Sequence, residues 1–249
     1  MIEVHILMAL QDNYVYVLCD PESQQVAVVD PSEAMPVIQF LQKKKWPLHF
    51  IFNTHHHYDH VGGNLELQKL YKCEIYCSEC DRSRVPGATR GLKDNEQIHL
   101  GKTLMQVFAV PGHTLGAISF YCPSEHLLFT GDTLFTSGCG RLFEGTAREL
   151  WHSLKSIAAL PPKTKVYSGH EYGLQNAAFA KKMFPLDLEI ARRFESIAKS
   201  RHMGQATVQT TLEQELMTNP FLKAQNLAEF TDLRHAKDDF RLEDSTSMR

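Results

Sequence analysis

Short apolar runs separated by turn residues dominate the first two thirds of the chain. Residues 4–7, 14–19 and 26–29 are β-branched and aromatic stretches broken by Asp12-Asn13 and Asp20-Pro21, a strand-and-turn pattern. Asp30-Pro31 closes the third run, and Val37, Phe40 and Leu41 then fall at helical spacing. That helix ends on Lys43-Lys44-Lys45, a basic run suited to the negative end of a helix dipole. Phe50-Ile51-Phe52 is short enough for a buried strand, and Leu65, Leu67, Leu70 and Tyr71 return to helical spacing. A strand is expected near Ile75, an irregular glycine- and charge-rich stretch over 82–95, and strands at 104–110, 118–121 and 127–129. Thr146-Ala147-Arg148-Glu149 reads as a capping box that opens a helix carrying Leu150, Leu154 and Ile157. Val166-Tyr167 is the last strand-like pair. From about Leu174 strand patterns cease and helical spacing takes over in 177–184 and 188–198. The pattern predicts a sheet-containing domain over 1–172 and a helical domain over 173–249.

Composition narrows the function. A net charge of −3 opposes a protein built to coat nucleic acid. No stretch approaches the roughly 20 apolar residues of a membrane span. The start of the chain runs into a strand-like pattern without a basic and apolar leader, so a cytoplasmic protein is expected. Six cysteines form no regular disulfide framework; Cys73, Cys77 and Cys80 lack a fourth neighbouring ligand and are expected to be buried, reduced thiols.

Between the Phe50-Ile51-Phe52 strand and the following helix stands Thr54-His55-His56-His57-Tyr58-Asp59-His60, with Gly62-Gly63 behind it. A strand-to-helix loop at the carboxyl end of a strand is where α/β proteins place ligands. Imidazole and carboxylate together suit a first-row transition metal. In an extended or turning backbone His55 and His57 point to one side, while Asp59 and His60 reach a second position from the next turn. His56 points away and is expected to be packed or hydrogen-bonded behind the loop. Three more ligand types follow apolar strands directly: His113 after Val110-Pro111-Gly112, Asp132 after Phe129-Thr130-Gly131, and His170 after Val166-Tyr167-Ser168-Gly169. The adjoining glycines let backbone and metal approach closely. The tally favours two ions: His55, His57 and His113 for one, Asp59, His60 and His170 for the other, and Asp132 between them. Positions left open for water mark a catalytic rather than a structural centre.

These residues resemble the metallo-β-lactamase superfamily, whose HxHxDH signature is matched by His55 to His60. Pro111-Gly112-His113-Thr114, Gly131-Asp132-Thr133-Leu134-Phe135, Gly138-Cys139-Gly140-Arg141-Leu142-Phe143-Glu144-Gly145-Thr146, Gly169-His170-Glu171-Tyr172 and the tail stretch Arg234-His235-Ala236-Lys237-Asp238 narrow the resemblance to glyoxalase II, the hydroxyacylglutathione hydrolases. The resemblance implies an αββα sandwich with a C-terminal helical, glutathione-binding domain. It implies hydrolysis of S-D-lactoylglutathione to glutathione and D-lactate in methylglyoxal detoxification. Two divalent ions per chain are implied, zinc first, with iron or manganese as alternatives. Asp59 and Asp132 would orient the attacking water as well as the ions. Arg141, Phe143, Tyr172, Arg234 and Lys237 fall where the family holds glutathione, Phe143 standing where some members carry tyrosine. A monomer that binds neither nucleic acid nor membrane is expected. The rivals are an iron persulfide dioxygenase, which shares Gly-Cys-Gly-Arg but not its continuation, a nuclease, and a histidine-rich protein that stores or senses metal.

Overall fold

The computed structural model describes residues 2–241. Its strands are β1 (Glu3–Ala9), β2 (Asn13–Asp20), β3 (Gln25–Val29), β4 (Phe50–Phe52), β5 (Glu74–Ser78), β6 (Arg90–Leu92), β7 (Gln97–Leu100), β8 (Thr103–Ala109), β9 (Ile118–Cys122), β10 (Leu127–Gly131), β11 (Leu134–Phe135), β12 (Gly138–Cys139), β13 (Lys165–Ser168) and β14 (Thr210–Thr211). The helices are α1 (Ala34–Lys44), α2 (Tyr58–Val61), α3 (Asn64–Tyr71), α4 (Ala147–Ala158), α5 (Gly173–Met183), α6 (Leu188–His202), α7 (Leu212–Thr218), α8 (Pro220–Lys223) and α9 (Leu227–Asp239).

Strand β2 is buried along its whole length, and its period of two shows why. Tyr14, Tyr16 and Leu18 join Phe52, Phe120 and Phe129 in a cluster between two sheets. Val15, Val17 and Cys19 face the other way and pack with Val37, Leu41 and Leu67 of α1 and α3. Leu128 and Val166 of the second sheet face outward in turn, against Leu150, Leu154, Phe179, Phe221 and Phe230. Helices therefore cover both outer faces of two stacked sheets, the expected αββα sandwich. The sheets run β1-β2-β3-β4-β5-β6 and β14-β13-β10-β9-β8-β7.

The long amphipathic elements lie where the pattern places them, and the capping box at Thr146 and Glu149 is formed. Departures fall on short edge elements. β6 and β7 occupy or adjoin the stretch read as irregular, and β14 adds a strand within the region expected to be helical, pairing antiparallel with β13. In α3 only Leu67 of the apolar set is fully buried, whereas Leu65 and Leu70 are exposed. Cys73 and Cys77 are buried free thiols, but Cys80 is exposed. The helical segment is no loose appendage, because Phe221, Phe230 and Leu233 share one core with Leu128, Leu150 and Val166. The last eight residues of the 173–249 stretch lie outside the described residues.

Candidate metal centre and substrate cleft

All seven sequence-predicted ligands meet at one edge of the sandwich, where the strands of both sheets end. Tyr14 N–H donates to the Gly169 carbonyl (2.8 Å) and Ile118 N–H to the Thr54 carbonyl (2.9 Å), which ties the ligand loops of the two sheets together. His55, His57 and His113 form one group and Asp59, His60 and His170 a second, each with ligand atoms within 4.8 Å of one another. Asp132 stands between them: Oδ2 is 3.5 Å from His113 Nε2 and 3.3 Å from His170 Nε2, and Oδ1 is 3.4 Å from His60 Nε2.

The donor set tests whether ions fit here. His113 Nδ1 donates to the Arg141 carbonyl (2.7 Å), His170 Nδ1 to Asp12 (2.9 Å) and His60 Nδ1 to Asp30 (3.0 Å). Thr54 Oγ1 donates to Asp30 (2.6 Å), so the contact at 3.0 Å between it and His55 Nδ1 takes its proton from the histidine. With one ring nitrogen so engaged, the Nε2 atom of each neutral imidazole carries a lone pair. These ring nitrogens converge: His60 and His170 Nε2 lie 3.3 Å apart, and His57 Nδ1 lies 3.1 and 3.0 Å from His55 and His113 Nε2. Ring nitrogens facing one another this closely repel unless positive charge, a proton or a metal ion, lies between them. A tetrahedral ion with ligands at about 2.0–2.1 Å places them roughly 3.3 Å apart. Asp132 Oδ1 is buried with no hydrogen-bond partner. A Cβ on Gly169 would stand 2.4 Å from that oxygen, so glycine keeps the space clear. The residues fit divalent ions.

Electrostatics separates the two groups. Burial, reinforced by neighbouring histidines, lowers His55 well below its usual pKa, takes His57 down to about 4 and depresses His113, so all three present neutral imidazole. Burial acts the same way on His60 and His170, but there the carboxylates outweigh it. Asp132 and Asp30 push His60 up to about 10, and Asp132 and Asp59 push His170 up to about 12. Burial would raise Asp59 and Asp132, yet the facing histidines hold both below the usual carboxylate range. The carboxylate-bearing group thus demands positive charge, whether from protons or from an ion.

Sequence reasoning missed the residues that aim the ligands. Asp12, Asn13 and Asp30 read as turn chemistry, but Asp12 orients His170, Asp30 orients His60 and Asn13 Nδ2 donates to Asp59 (3.0 Å). A carboxylate ending a strand beside another ligand-bearing strand was the available signal. His56 does turn away: Nδ1 bonds the buried Asp81 (3.2 Å) and Nε2 lies 3.5 Å from Glu144. His56→Ala is therefore expected to retain wild-type metal stoichiometry while losing about 0.5–1.5 kcal/mol of stability. Elemental analysis checks it, and loss of one equivalent would reassign the loop.

Beside the centre lies a cavity of about 290 Å³ lined by Arg141, Tyr172, Arg234, Lys237 and Arg241 as well as His113 and Asp132. Arg141 is exposed and its Nε donates to Asp238 (3.2 Å). Lys237 is nearly buried, and burial followed by the nearby Arg234 charge lowers its pKa to about 8. Arg234 is buried and already engaged: Nη1 donates to the Cys139 (2.9 Å) and Gly140 (3.2 Å) carbonyls and Nη2 to Asp238 (3.0 Å). Phe143 sets its ring edge-on to His57 and His113 (5.4 and 5.2 Å between centroids), and Tyr172 stacks flat on His170 at 4.7 Å.

Residues 10–170 match the family model of the metallo-beta-lactamase superfamily, and residues 171–240 that of the hydroxyacylglutathione hydrolase C-terminus. A protein named hydroxyacylglutathione hydrolase from Methylococcus capsulatus is 42% identical, the match covering 97% of this chain and all of that one. Among solved structures, ETHE1 from Myxococcus xanthus aligns with a TM-score of 0.71 at 24% identity over 97% of this chain and 92% of that one. TTHA1623, solved in a di-iron-bound form, aligns at 0.63 and 25% identity over 88% of this chain and its own full length.

Proposed function

The chain belongs to the metallo-β-lactamase superfamily and within it to the hydroxyacylglutathione hydrolases, and from that premise we propose how its residues hydrolyse S-D-lactoylglutathione to glutathione and D-lactate. It is a metal-dependent thioester hydrolase. One observation carries the assignment of the site: Asp132 stands within 3.5 Å of histidines from both candidate groups, at the wall of a cation-lined cavity. In this reading His55, His57 and His113 hold one divalent ion, Asp59, His60 and His170 hold the other, and Asp132 serves both. A complete second group supports two ions rather than one. The mixed nitrogen and oxygen donors suit zinc, with iron or manganese as alternatives.

When bound, the ions polarise the thioester carbonyl and make water nucleophilic at neutral pH. Asp59 and Asp132, kept ionised by the histidines facing them, accept hydrogen bonds from the attacking water and fix its orientation. Asp12, Asn13 and Asp30 prevent those ligands from rotating. The glutathione thiolate leaves without a strong acid because thiols have a pKa near about 8.5. Arg141 and Lys237 face the tripeptide carboxylates, Phe143 and Tyr172 flank the thioester, and Arg234 shapes the loop that carries Arg141 and Phe143. The division into 1–172 and 173–249 is then one of roles, with the first part holding ions and the second contributing to the glutathione cavity. A cytoplasmic monomer completes the reading. Free cysteines support the cytoplasm, and no described helix is long and apolar enough to cross a membrane.

Loss of thioester absorbance from S-lactoylglutathione, measured on metal-loaded protein with its metal content determined, tests the whole reading. Turnover with two ions per chain is expected; absence of turnover at that loading would overturn it. The low pKa of Lys237 adds a pH dependence. Lysine is charged below its pKa, so its contact with a substrate carboxylate is present below pH about 8 and lost above it. The ratio kcat/KM for the glutathione thioester, which reports free-enzyme groups, should fall above that pH. A small thioester lacking the tripeptide should show no such fall, and Lys237→Arg should shift it out of range, since guanidinium does not titrate there. A pH profile unchanged in Lys237→Arg would remove Lys237 from the binding site.

A further inference from the structure

Behind the first ligand group a chain of charges crosses from the loops of one sheet to those of the other. Asp81, just after β5, is fully buried, and its two carboxylate oxygens divide their work. Oδ2 lies 3.2 Å from His56 Nδ1, and Oδ1 accepts from Arg84 Nη2. The Arg84 backbone is set by the same residue, its N–H donating to the Asp81 carbonyl (2.8 Å). The guanidinium then reaches Glu144 with both terminal nitrogens, Nη1 on Oε1 and Nη2 3.3 Å from Oε2. A planar fork on a carboxylate fixes direction as well as distance.

Glu144 in turn grips the loop that carries His113 from two sides. The N–H groups of Phe143 and Glu144 donate to the His113 carbonyl (3.2 and 3.4 Å), and Glu144 Oε2 accepts the Leu115 N–H (2.9 Å). Gly145 N–H adds a bond to the Gly112 carbonyl (3.1 Å). Asp81 and Arg84, which follow a strand of the first sheet, therefore hold through one carboxylate the His113 stretch that follows β8 of the second. His57 needs no such tie, because His60 N–H closes its turn on the His57 carbonyl (2.9 Å). Asp81, Arg84 and Glu144 are neither proposed ligands nor part of the cation-lined wall.

We propose that Glu144 and Arg84 are positioning residues for the first ion: anchored on Asp81, they hold His113 at the separation from His55 and His57 that one ion requires. This rests on the two-ion reading of the site. Both side chains are partly exposed, where an ion pair adds little to folding, so metal affinity and stability can be read apart. The test measures chelator competition for the two ions, melting of the metal-free protein and the visible spectrum of cobalt-substituted protein. Wild type is compared with Glu144→Ala, Glu144→Gln, Arg84→Ala and the double alanine variant, with His56→Ala and His113→Ala as references. Glu144→Ala and Arg84→Ala should each weaken binding of one ion about tenfold to a hundredfold, the range that partners of ligating residues supply, and leave the other within about twofold. The ion weakened should be the one that His113→Ala removes, identified by its cobalt bands. The double variant should lose no more than the larger single loss, because both changes break one link. Glu144→Gln keeps an acceptor for the Leu115 amide and should fall between wild type and Glu144→Ala. Metal-free Glu144→Ala should melt no lower than metal-free His56→Ala. Unchanged affinity for both ions, or equal losses that track a fall in melting temperature, would overturn the inference. So would selective loss of the ion held by Asp59, His60 and His170. A wild type holding no ion in the first group would sink the two-ion reading and this inference together. The readout needs no turnover, so a protein that binds two ions and hydrolyses no thioester would remove the hydrolase reading alone.

Discussion

Asp132→Ala is expected to reduce thioester hydrolysis by at least the 10²–10³-fold that loss of one charge-stabilising contact in a protected site costs. Its two oxygens face His113 on one side and His60 and His170 on the other, so no neighbour can replace it. The conservative Asp132→Asn keeps the size and loses the charge, and it should fall nearly as far. Folding should change little by comparison. Asp132 lies at the base of an open cleft, and its contacts run to the facing histidines of the centre rather than to the hydrophobic core, so its loss is felt at the centre first. Elemental analysis should show fewer than two ions per chain beside a circular dichroism melt close to wild type. Two bound ions with normal turnover would make the dinuclear assignment wrong.

Arg234→Ala should act in the opposite way, first on stability and through it on binding. The guanidinium donates to the carbonyls of Cys139 and Gly140 and to Asp238, and it lies over the Phe221 ring at 5.1 Å. Its removal leaves two backbone carbonyls unpaired beneath the loop that carries Arg141 and Phe143. A loss of about 2–4 kcal/mol is expected, seen as a fall of several degrees in Tm. KM for the glutathione thioester should rise as the loop loosens, while a small thioester is hydrolysed nearly as before. Arg234→Lys retains charge but not the planar fork and should recover only part of either effect. Lys237→Ala is the contrast: it anchors no backbone carbonyl, so it should raise KM roughly tenfold or more with little change in Tm. Equal melting temperatures for Arg234→Ala and wild type would show that Arg234 does not brace the loop.

What the sequence determined alone was whatever depends on near neighbours. A period of two with no polar face marks β2 as a strand covered on both sides, because such a strand must be buried twice. Thr146 and Glu149 specify their helix start through bonds spanning three residues. The candidate ligands were legible as a set because histidine and aspartate stand directly after apolar strands, beside glycine, and folding brings all seven to one edge. Tertiary structure decided what depends on distant partners. Strands β6, β7 and β14 are short edge elements whose identity comes from the strand they pair with rather than from their own pattern. Asp12, Asp30 and Asp81 looked like ordinary turn or surface acids until folding placed His170, His60 and His56 against them. Arg234 and Lys237 look alike in the tail, one helical turn apart. Both line the cavity, but only packing of α9 against the Gly138-Cys139-Gly140 loop makes Arg234 a brace on two carbonyls, since a guanidinium can satisfy several carbonyls at once and an ammonium on a flexible stem cannot hold them in a plane.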